Sequence, residues 1–482
     1  MDDHGSFAAG RVTNGDTPRA GSRGGGRALL DAASHVVIIG GGFSGTIQAI
    51  NLLRHHGPRA TLIERRAVRL GRGVAYNAAS DDLLLNVRAA NMSALPDDPG
   101  HFARWLAEHH PERAGGFAPR NIYGAYLRAQ LDAAAAGAGD RLDLIAGDVV
   151  DIAPEADRVT VHLSDGGRVQ ADVAVLAVGN LPPHDPPGFD PDRLGPDLYA
   201  CDPWGQDIAE DLGQDDSVLL LGTGLTAIDA ALLLDARGFA GRIIALSRRG
   251  QVPHAHWDQP RDAQELRERP PTSASKLVRF MRTRADVRGW RDAVDDLRPV
   301  TQMMWGAASD MERARFLRHL RPYWDVHRHR LAPYVAARID ALRAAGRLHF
   351  VAGKTVEAVA RNGGVSVRWR ARGAERDQAM TVRRVVNCTG PQGDLLRSDD
   401  PLLARLRDKG QVRADRLRLG LDVDAQSRVI DDAGQAQERL FAIGPMTRGG
   451  LWEVVAVPDI RNQVWALARK LANAHWVGGE GL

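Results

Sequence analysis

Val36-Val37-Ile38-Ile39-Gly40-Gly41-Gly42-Phe43-Ser44-Gly45 is the stretch that decides the fold. Four apolar, β-branched residues suit a strand buried on both faces of a parallel sheet. Gly40, Gly42 and Gly45 then stand at the three positions of G-x-G-x-x-G, and a helical pattern follows through Ile47, Ala49, Ile50, Leu52 and Leu53. The three glycines allow, in turn, a tight turn, close approach of backbone to a pyrophosphate, and close packing of helix on strand. The helix N-terminus, with Phe43 and Ser44 in its first turn, offers free N–H groups and a positive dipole end to phosphates. A second strand, Ala60-Thr61-Leu62-Ile63, ends at Glu64, 19 residues beyond Gly45. An acid there accepts hydrogen bonds from ribose hydroxyls. Glu64, with Arg65 beside it, marks a dinucleotide site for a free ribose.

The pattern recurs. Ser217 to Leu221 reads as a strand, Gly222-Thr223-Gly224-Leu225-Thr226-Ala227 as G-x-G-x-x-A, and Ile228 to Leu234 as a helix. The next strand, Arg242 to Leu246, ends in Ser247-Arg248-Arg249 where the first ends in an acid. Guanidinium forks grip a 2′-phosphate, whereas a carboxylate repels it. Gly222, Gly224, Leu225, Thr226, Arg248 and Arg249 are therefore expected to hold NADPH in preference to NADH. One free-ribose site and one phosphorylated-ribose site point to FAD plus NADPH; two nicotinamide sites would make a transhydrogenase.

Working outward, the 482 residues are 44% hydrophobic and 26% charged, the balance of a soluble globular chain. No stretch approaches the ~18 apolar residues a membrane span needs, so no membrane partner is expected. The 63 basic residues against 60 acidic give +3, and only four of the 63 are lysines. No basic tail or aromatic-interleaved patch is present, which argues against nucleic acid. Cys201 and Cys388 stand far apart, excluding a disulfide framework or a CxxC pair and favouring a reducing cytoplasm. Residues 1–33, rich in Gly, Ser, Arg and Asp, read as a disordered leader without the apolar core of a signal peptide.

Three further strands end in glycine: Ala171 to Gly179, Val385 to Gly390 and Arg439 to Gly444. With these the chain resembles the two-dinucleotide-binding-domain flavoproteins, from His35 to about Val477. More narrowly, Gly71-Arg72-Gly73-Val74-Ala75-Tyr76, Leu84 to Ser93 and Gly450 to Arg461 are similar to motifs of bacterial FAD/NAD(P)-binding oxidoreductases. The resemblance implies an α/β fold of two Rossmann-like dinucleotide-binding domains with a helical insertion. The expected division is 34–195 for the first part of the FAD domain, 196–384 for the NADP domain with its insertion at about 260–345, and 385–482 for the second part of the FAD domain. Gly179 and Gly390 would mark where the chain leaves and re-enters the FAD domain, and Gly444 would bring its turn against the flavin. Asn86, Asn91 and Trp452 become candidate flavin contacts by the resemblance, and Val149 a further cofactor contact.

The resemblance further implies an NADPH-using flavin monooxygenase, including enzymes that N-oxygenate amines or amino acids through a peroxyflavin. Baeyer–Villiger enzymes carry F-x-G-x-x-x-H-x-x-x-W/Y; here Tyr199 stands at the histidine position and Trp204 comes one place late. That departure speaks against ketone oxygenation. Transfer of electrons to a non-oxygen acceptor, or a flavin-binding redox sensor without turnover, stays open.

From Pro260 to Ala345 long charged helical patterns replace the strand–helix alternation. A helical insertion folding over the cleft is expected. Its Tyr323, Arg328 and Arg330 are candidates to clamp a small, carboxylate-bearing substrate, since guanidinium binds carboxylates bidentately. The alternative is a solvated helix face with Tyr323 packed inward. His327 and His329, two apart, would point to different helix faces and make a poor metal site. His254 and His256 fit a loop near the nicotinamide. The flavin carries most of the chemistry, so no triad or carboxylate dyad need be present. Asn91 and Glu453 are the candidate catalytic side chains, Glu453 serving equally well at a helix start.

Overall fold

The structure, a computed structural model, describes residues 33–54, 57–77, 80–259 and 261–472. The leader expected over 1–33 lies outside the described residues as far as residue 32. The described residues, within 33–472, belong to one compact unit.

The first glycine loop joins β1 (His35–Ile39) to α1 (Phe43–Arg54), and β2 (Arg59–Glu64) runs parallel to β1 with Ile39 opposite Ile63. After α2 (His101–His109) and α3 (Arg120–Ala138), β3 (Leu142–Ala146) joins the far side of β2. A small antiparallel sheet follows, β4 (Val149–Pro154), β5 (Val159–Leu163) and β6 (Arg168–Ala171), before β7 (Val173–Leu176) pairs parallel with β1.

The second unit opens with α4 (Pro191–Leu194) and β8 (Tyr199–Ala200), then β9 (Ser217–Leu221), α5 (Leu225–Ala236) and β10 (Arg242–Ser247). Helices α6 (Ala274–Leu297, broken at Gly289), α7 (Thr301–Ala307), α8 (Asp310–Arg315) and α9 (Arg321–Arg328) intervene. Then come α10 (Pro333–Ala344), β11 (Leu348–Arg361), β12 (Gly364–Ala371), β13 (Gln378–Val382) and β14 (Arg384–Asn387). The chain ends with α11 (Pro401–Asp408), β15 (Arg428–Ile430), β16 (Ala436–Ala442) and α12 (Val457–Leu471).

Sheet one has the order β15-β16-β7-β1-β2-β3, and sheet two β13-β12-β11-β10-β9-β14-β8. The period-2 alternation of side chains explains why the central strands are apolar throughout. Val36 and Ile38 enter one core with α1, α3 and α12, while Val37 and Ile39 enter the core beneath β4–β6 and α11. In sheet two, Val218 and Leu220 face α5 and α10, and Leu219 and Leu221 face the β12–β13 hairpin. Helix α12 shows the complementary helical period, burying Val457, Ile460, Val464, Leu467 and Leu471 along one stripe.

Two expected boundaries move. The return to the first unit is expected from the sequence at residue 385, but β14 sits in sheet two, parallel to β9 with Val386 opposite Leu220. The crossing back follows Gly390, and the two connecting segments lie side by side, bridged at Leu181 and Gln392. Likewise α10 is not part of the insertion. It packs Val335, Ile339 and Leu342 into the core of sheet two, because parallel β10 and β11 require a crossover helix there. The added helices end at Arg328. They share an apolar cluster with Leu419 and Trp452 of the returning chain.

Candidate cofactor and active site

The first loop is closed by contacts that leave no room for side chains. Gly40 has φ +106°, and a Cβ there would lie 2.4 Å from the Ala177 carbonyl oxygen at the end of β7. A Cβ on Gly45 would lie 1.9 Å from the Gly40 oxygen, so only glycine lets α1 start this close to β1. Glu64 accepts the Gly41 N–H at 2.8 Å through Oε2 and the Arg66 N–H at 3.0 Å through Oε1. Each oxygen keeps a lone pair for a ribose hydroxyl.

The turn at Gly71 and Gly73 presses on this loop, a contact that no local sequence signal announces. The Gly71 N–H donates to the Gly41 oxygen at 2.9 Å, and a Cβ on Gly73 would lie 3.0 Å from the Gly42 Cα. Gly444, φ +82°, lies over Ser44, whose Oγ would be 2.5 Å from an added Cβ. The turn after β16 is therefore held against the start of α1. Phe43 is buried in an aromatic group with Tyr76 and Tyr123. Arg65 points away, pairing with Asp400 at 2.8 Å and Asp148 at 3.4 Å. Val149 has its side chain buried in the core beneath sheet one, which leaves only its backbone for a ligand.

In the second glycine loop Gly222, φ +130°, repeats the first device: an added Cβ would lie 2.4 Å from the Cys388 oxygen. Gly224 is open, with nothing within 4 Å of an added Cβ, and Leu225 and Thr226 begin α5 half-buried beside it. Gly179 and Gly390, φ +70° and +91°, stand where the two connecting segments leave their strands, also with open space around them. The two arginines part company. Arg248 is exposed at the end of β10. Arg249 donates to the His319 oxygen at 3.1 Å and lies 5.2 Å over the Tyr323 ring, so it is engaged in holding the insertion.

The insertion also claims the residues expected to clamp substrate. The Arg328 Nε donates to Glu453 Oε2 at 2.8 Å, and the Trp324 Nε1 donates to Oε1 at 2.9 Å. Arg330 is 3% exposed; it forks onto Asp295 at 2.8 and 3.1 Å and donates to the Arg291 and His327 carbonyls. Tyr323 is outward, stacked under Arg249. Trp452 stacks on Trp305 at 4.6 Å with Phe316 edge-on, inside the insertion's apolar core, and its buried Nε1 has no hydrogen-bond partner. Glu453, φ +72° and buried, is a tether between α9 and the final loop, and no free acid or base. Burial explains these ion pairs: cations and a carboxylate removed from water must pair with each other. Asn91 is exposed on a single turn, Ala89–Asn91, and no side chain among the described residues positions it for chemistry.

Residues 37–181 match the family described as FAD-NAD(P)-binding. No curated protein matches the chain in sequence. Among solved structures, L-lysine 6-monooxygenase from Pseudomonas syringae is similar at 18% identity and TM-score 0.63, over 92% of this chain and 99% of that one. Ornithine hydroxylase from Pseudomonas aeruginosa is similar at 16% identity and TM-score 0.63, over 91% and 99%. The ornithine N-hydroxylase of Kutzneria sp. 744, with reduced FAD, NADP+ and L-ornithine, is similar at 15% identity and TM-score 0.60, over 92% and 99%. This chain shares the fold of these enzymes.

Within that fold the segment from Asn86 meets the stem of the insertion. The Asn86 oxygen accepts from His256 Nε2 at 3.0 Å, and Arg88 donates to the Trp257 and Asp258 carbonyls. Because a carbonyl only accepts, the proton of a neutral His256 sits on Nε2. His254 stacks on His327 at 4.5 Å, with Trp290 5.8 Å beyond. Burial pushes His256 down to about 4, and burial, with His254 and Arg330 adding to it, pushes His327 down to about 4. Both are neutral at pH 7. Among the described residues no group of three or more metal-ligating side chains converges. The pairing of 254–256 with 326–331 spans the whole insertion, and no local sequence signal announces it.

Proposed function

We propose that this chain is an FAD-dependent, NADPH-using monooxygenase that N-oxygenates a small amine or amino acid. The observation that carries the reading is the reversal of charge at two matched positions: Glu64 beside the first glycine loop and exposed Arg248 beside the second. Sheet one serves as the FAD unit and sheet two as the NADPH unit. The resemblance of the whole chain to lysine and ornithine N-oxygenating enzymes supports the substrate class.

The residues fit FAD. Gly40, Gly42 and Gly45 leave the backbone bare where a diphosphate approaches, the first turn of α1 supplies N–H donors, and Glu64 keeps lone pairs for the ribose. Bound FAD would supply electron transfer from NADPH and the activation of oxygen. The chain itself positions and encloses. Gly222 and Gly224 let NADPH approach α5, and Arg248 selects its 2′-phosphate. The insertion, tied down by Glu453, would cover the cleft and exclude water once the cofactors are bound. His256 holds the Asn86 segment through a fixed Nε2 proton. Arg330 is fully engaged, whereas Arg328 pairs with Glu453 through Nε and keeps a buried Nη2 without a hydrogen-bond partner, which a substrate carboxylate could take. The free cysteines, Cys201 and Cys388, fit a reducing cytoplasm.

The test is anaerobic mixing of the flavin-loaded protein with NADPH, followed by oxygen in the presence of candidate diamines and amino acids. Bleaching of the flavin and a product heavier by one oxygen atom support the reading. Bleaching with only peroxide formed favours electron transfer to another acceptor. Absence of bleaching favours a flavin-binding sensor.

A further inference from the structure

A cavity of about 460 Å³ lies at the carboxyl edge of sheet two, lined by Arg248, Lys354, Thr355, Arg370, Arg372 and Pro187 among others. Among the described residues no acidic side chain lines it. The register explains how cations from distant parts of the chain meet there. Ser247, just before Arg248, lies opposite Ala352 on β11. The Ala352 oxygen accepts the Arg372 N–H at 2.9 Å, which fixes Arg372 beside that point. Lys354 stands directly opposite Arg370 across the β11–β12 pair. Arg372 follows in the turn after β12, and Lys354, Arg370 and Arg372 all line the cavity.

Like charges placed opposite each other destabilise a strand pair unless something neutralises them. Arg370 is neutralised by Asp377 at 2.7 Å. Among the described residues, Arg248, Lys354 and Arg372 have no side-chain partner at all. Three unpaired cations around one concave, acid-free space make a site for a multivalent anion. The volume exceeds what a phosphate needs and falls in the range of small-ligand sites. It also lies outside the carboxyl ends of the strands, beside the loop at which a nucleotide binds in such sheets.

We propose that this cavity receives the adenosine 2′-phosphate end of NADPH, and that Lys354 and Arg372 determine cofactor specificity together with Arg248. They take the place that Arg249 vacates by holding the insertion. This rests on the NADPH reading above, and one titration separates the two. Flavin-loaded wild type is titrated with adenosine 2′,5′-bisphosphate and with adenosine 5′-monophosphate by calorimetry, alongside Lys354→Ala, Arg372→Ala, the charge-keeping Lys354→Arg, and Arg376→Ala as a control on the same hairpin but outside the cavity. The expected result is a wild-type preference for the bisphosphate that falls about five- to tenfold for each cation removed, as loss of roughly one charged contact gives. Lys354→Arg and Arg376→Ala should keep that preference, and the monophosphate should be unaffected throughout. Equal wild-type affinity for both nucleotides overturns the NADPH reading itself. A wild-type preference that survives in Lys354→Ala and Arg372→Ala overturns the cavity assignment alone.

Discussion

The two glycine loops share one backbone design and differ in what surrounds them. Gly40 and Gly222 both turn with positive φ against a carbonyl of the neighbouring strand, Ala177 in one case and Cys388 in the other. Around the first, Gly71, Gly73 and Gly444 close in, and at its third position the space for a side chain is gone. Around the second, Gly224 opens to solvent and the third position is Ala227. An enclosed loop suits a cofactor that stays bound through turnover, and an open one suits a cofactor that arrives and leaves. In the function proposed above, the charge that follows each loop, Glu64 or Arg248, would set which ribose is accepted.

The largest effect expected from breaking this contrast is at Gly45. Gly45→Ala drives a methyl into the Gly40 oxygen, so the protein should purify with its flavin absorbance reduced to background. Gly224→Ala meets nothing in the fold and should keep its flavin, while raising the KM for NADPH by about tenfold where the pyrophosphate approaches. Full flavin content in Gly45→Ala would show that the first loop is not the enclosed one.

Next comes the tether between the units. Glu453→Ala strands the mostly buried Arg328 without its partner, which costs about 3–5 kcal/mol and is read from denaturant unfolding. Replacing both residues by leucine should recover part of that loss, since the unpaired charge is gone while the Trp324 N–H stays without its acceptor. Unchanged stability in Glu453→Ala would remove the tether from the account.

Smaller, but sharper for specificity, is the separation of the adjacent arginines. Arg248→Ala should raise the KM for NADPH about fivefold and leave that for NADH alone, whereas Arg249→Ala should shift both equally through the insertion it holds. Selective loss of NADPH in Arg249→Ala would reverse the assignment.

The smallest effect is in pH. His256 and His327 titrate near 4 in the folded chain, below the ordinary histidine value, so the unfolded chain binds more protons between about pH 6.5 and 4. Their contribution is complete above pH 6.5 and is lost as pH falls through that window. The melting temperature should decline there, and His256→Gln should flatten the decline. A profile identical to wild type would mean that His256 is free to ionise in the fold.

How legible all this is in the sequence depends on the range of the interactions. Residues 36–45 with Glu64 can be read because a tight turn, a helix start and a strand end are local, and each restricts residue type strongly. The second loop is legible for the same reason. The fates of Arg249, Arg328, Arg330 and Glu453 are not, because their partners lie on elements whose proximity only packing creates: Glu453 is 125 residues from Arg328. The placement of β14 and α10 escapes the sequence similarly. An apolar strand ending in glycine reads alike in either sheet, and a charged helix reads alike whether it crosses over a sheet or caps a cleft.

The sequence by itself determined that two βαβ nucleotide units exist, where their glycines fall, and that the charge after the second strand reverses, because such patterns are set within some thirty residues of chain. Only the tertiary structure decided which cations remain free. A guanidinium removed from water takes the nearest carboxylate or carbonyl, and which one is nearest is known only once the insertion has folded against both units.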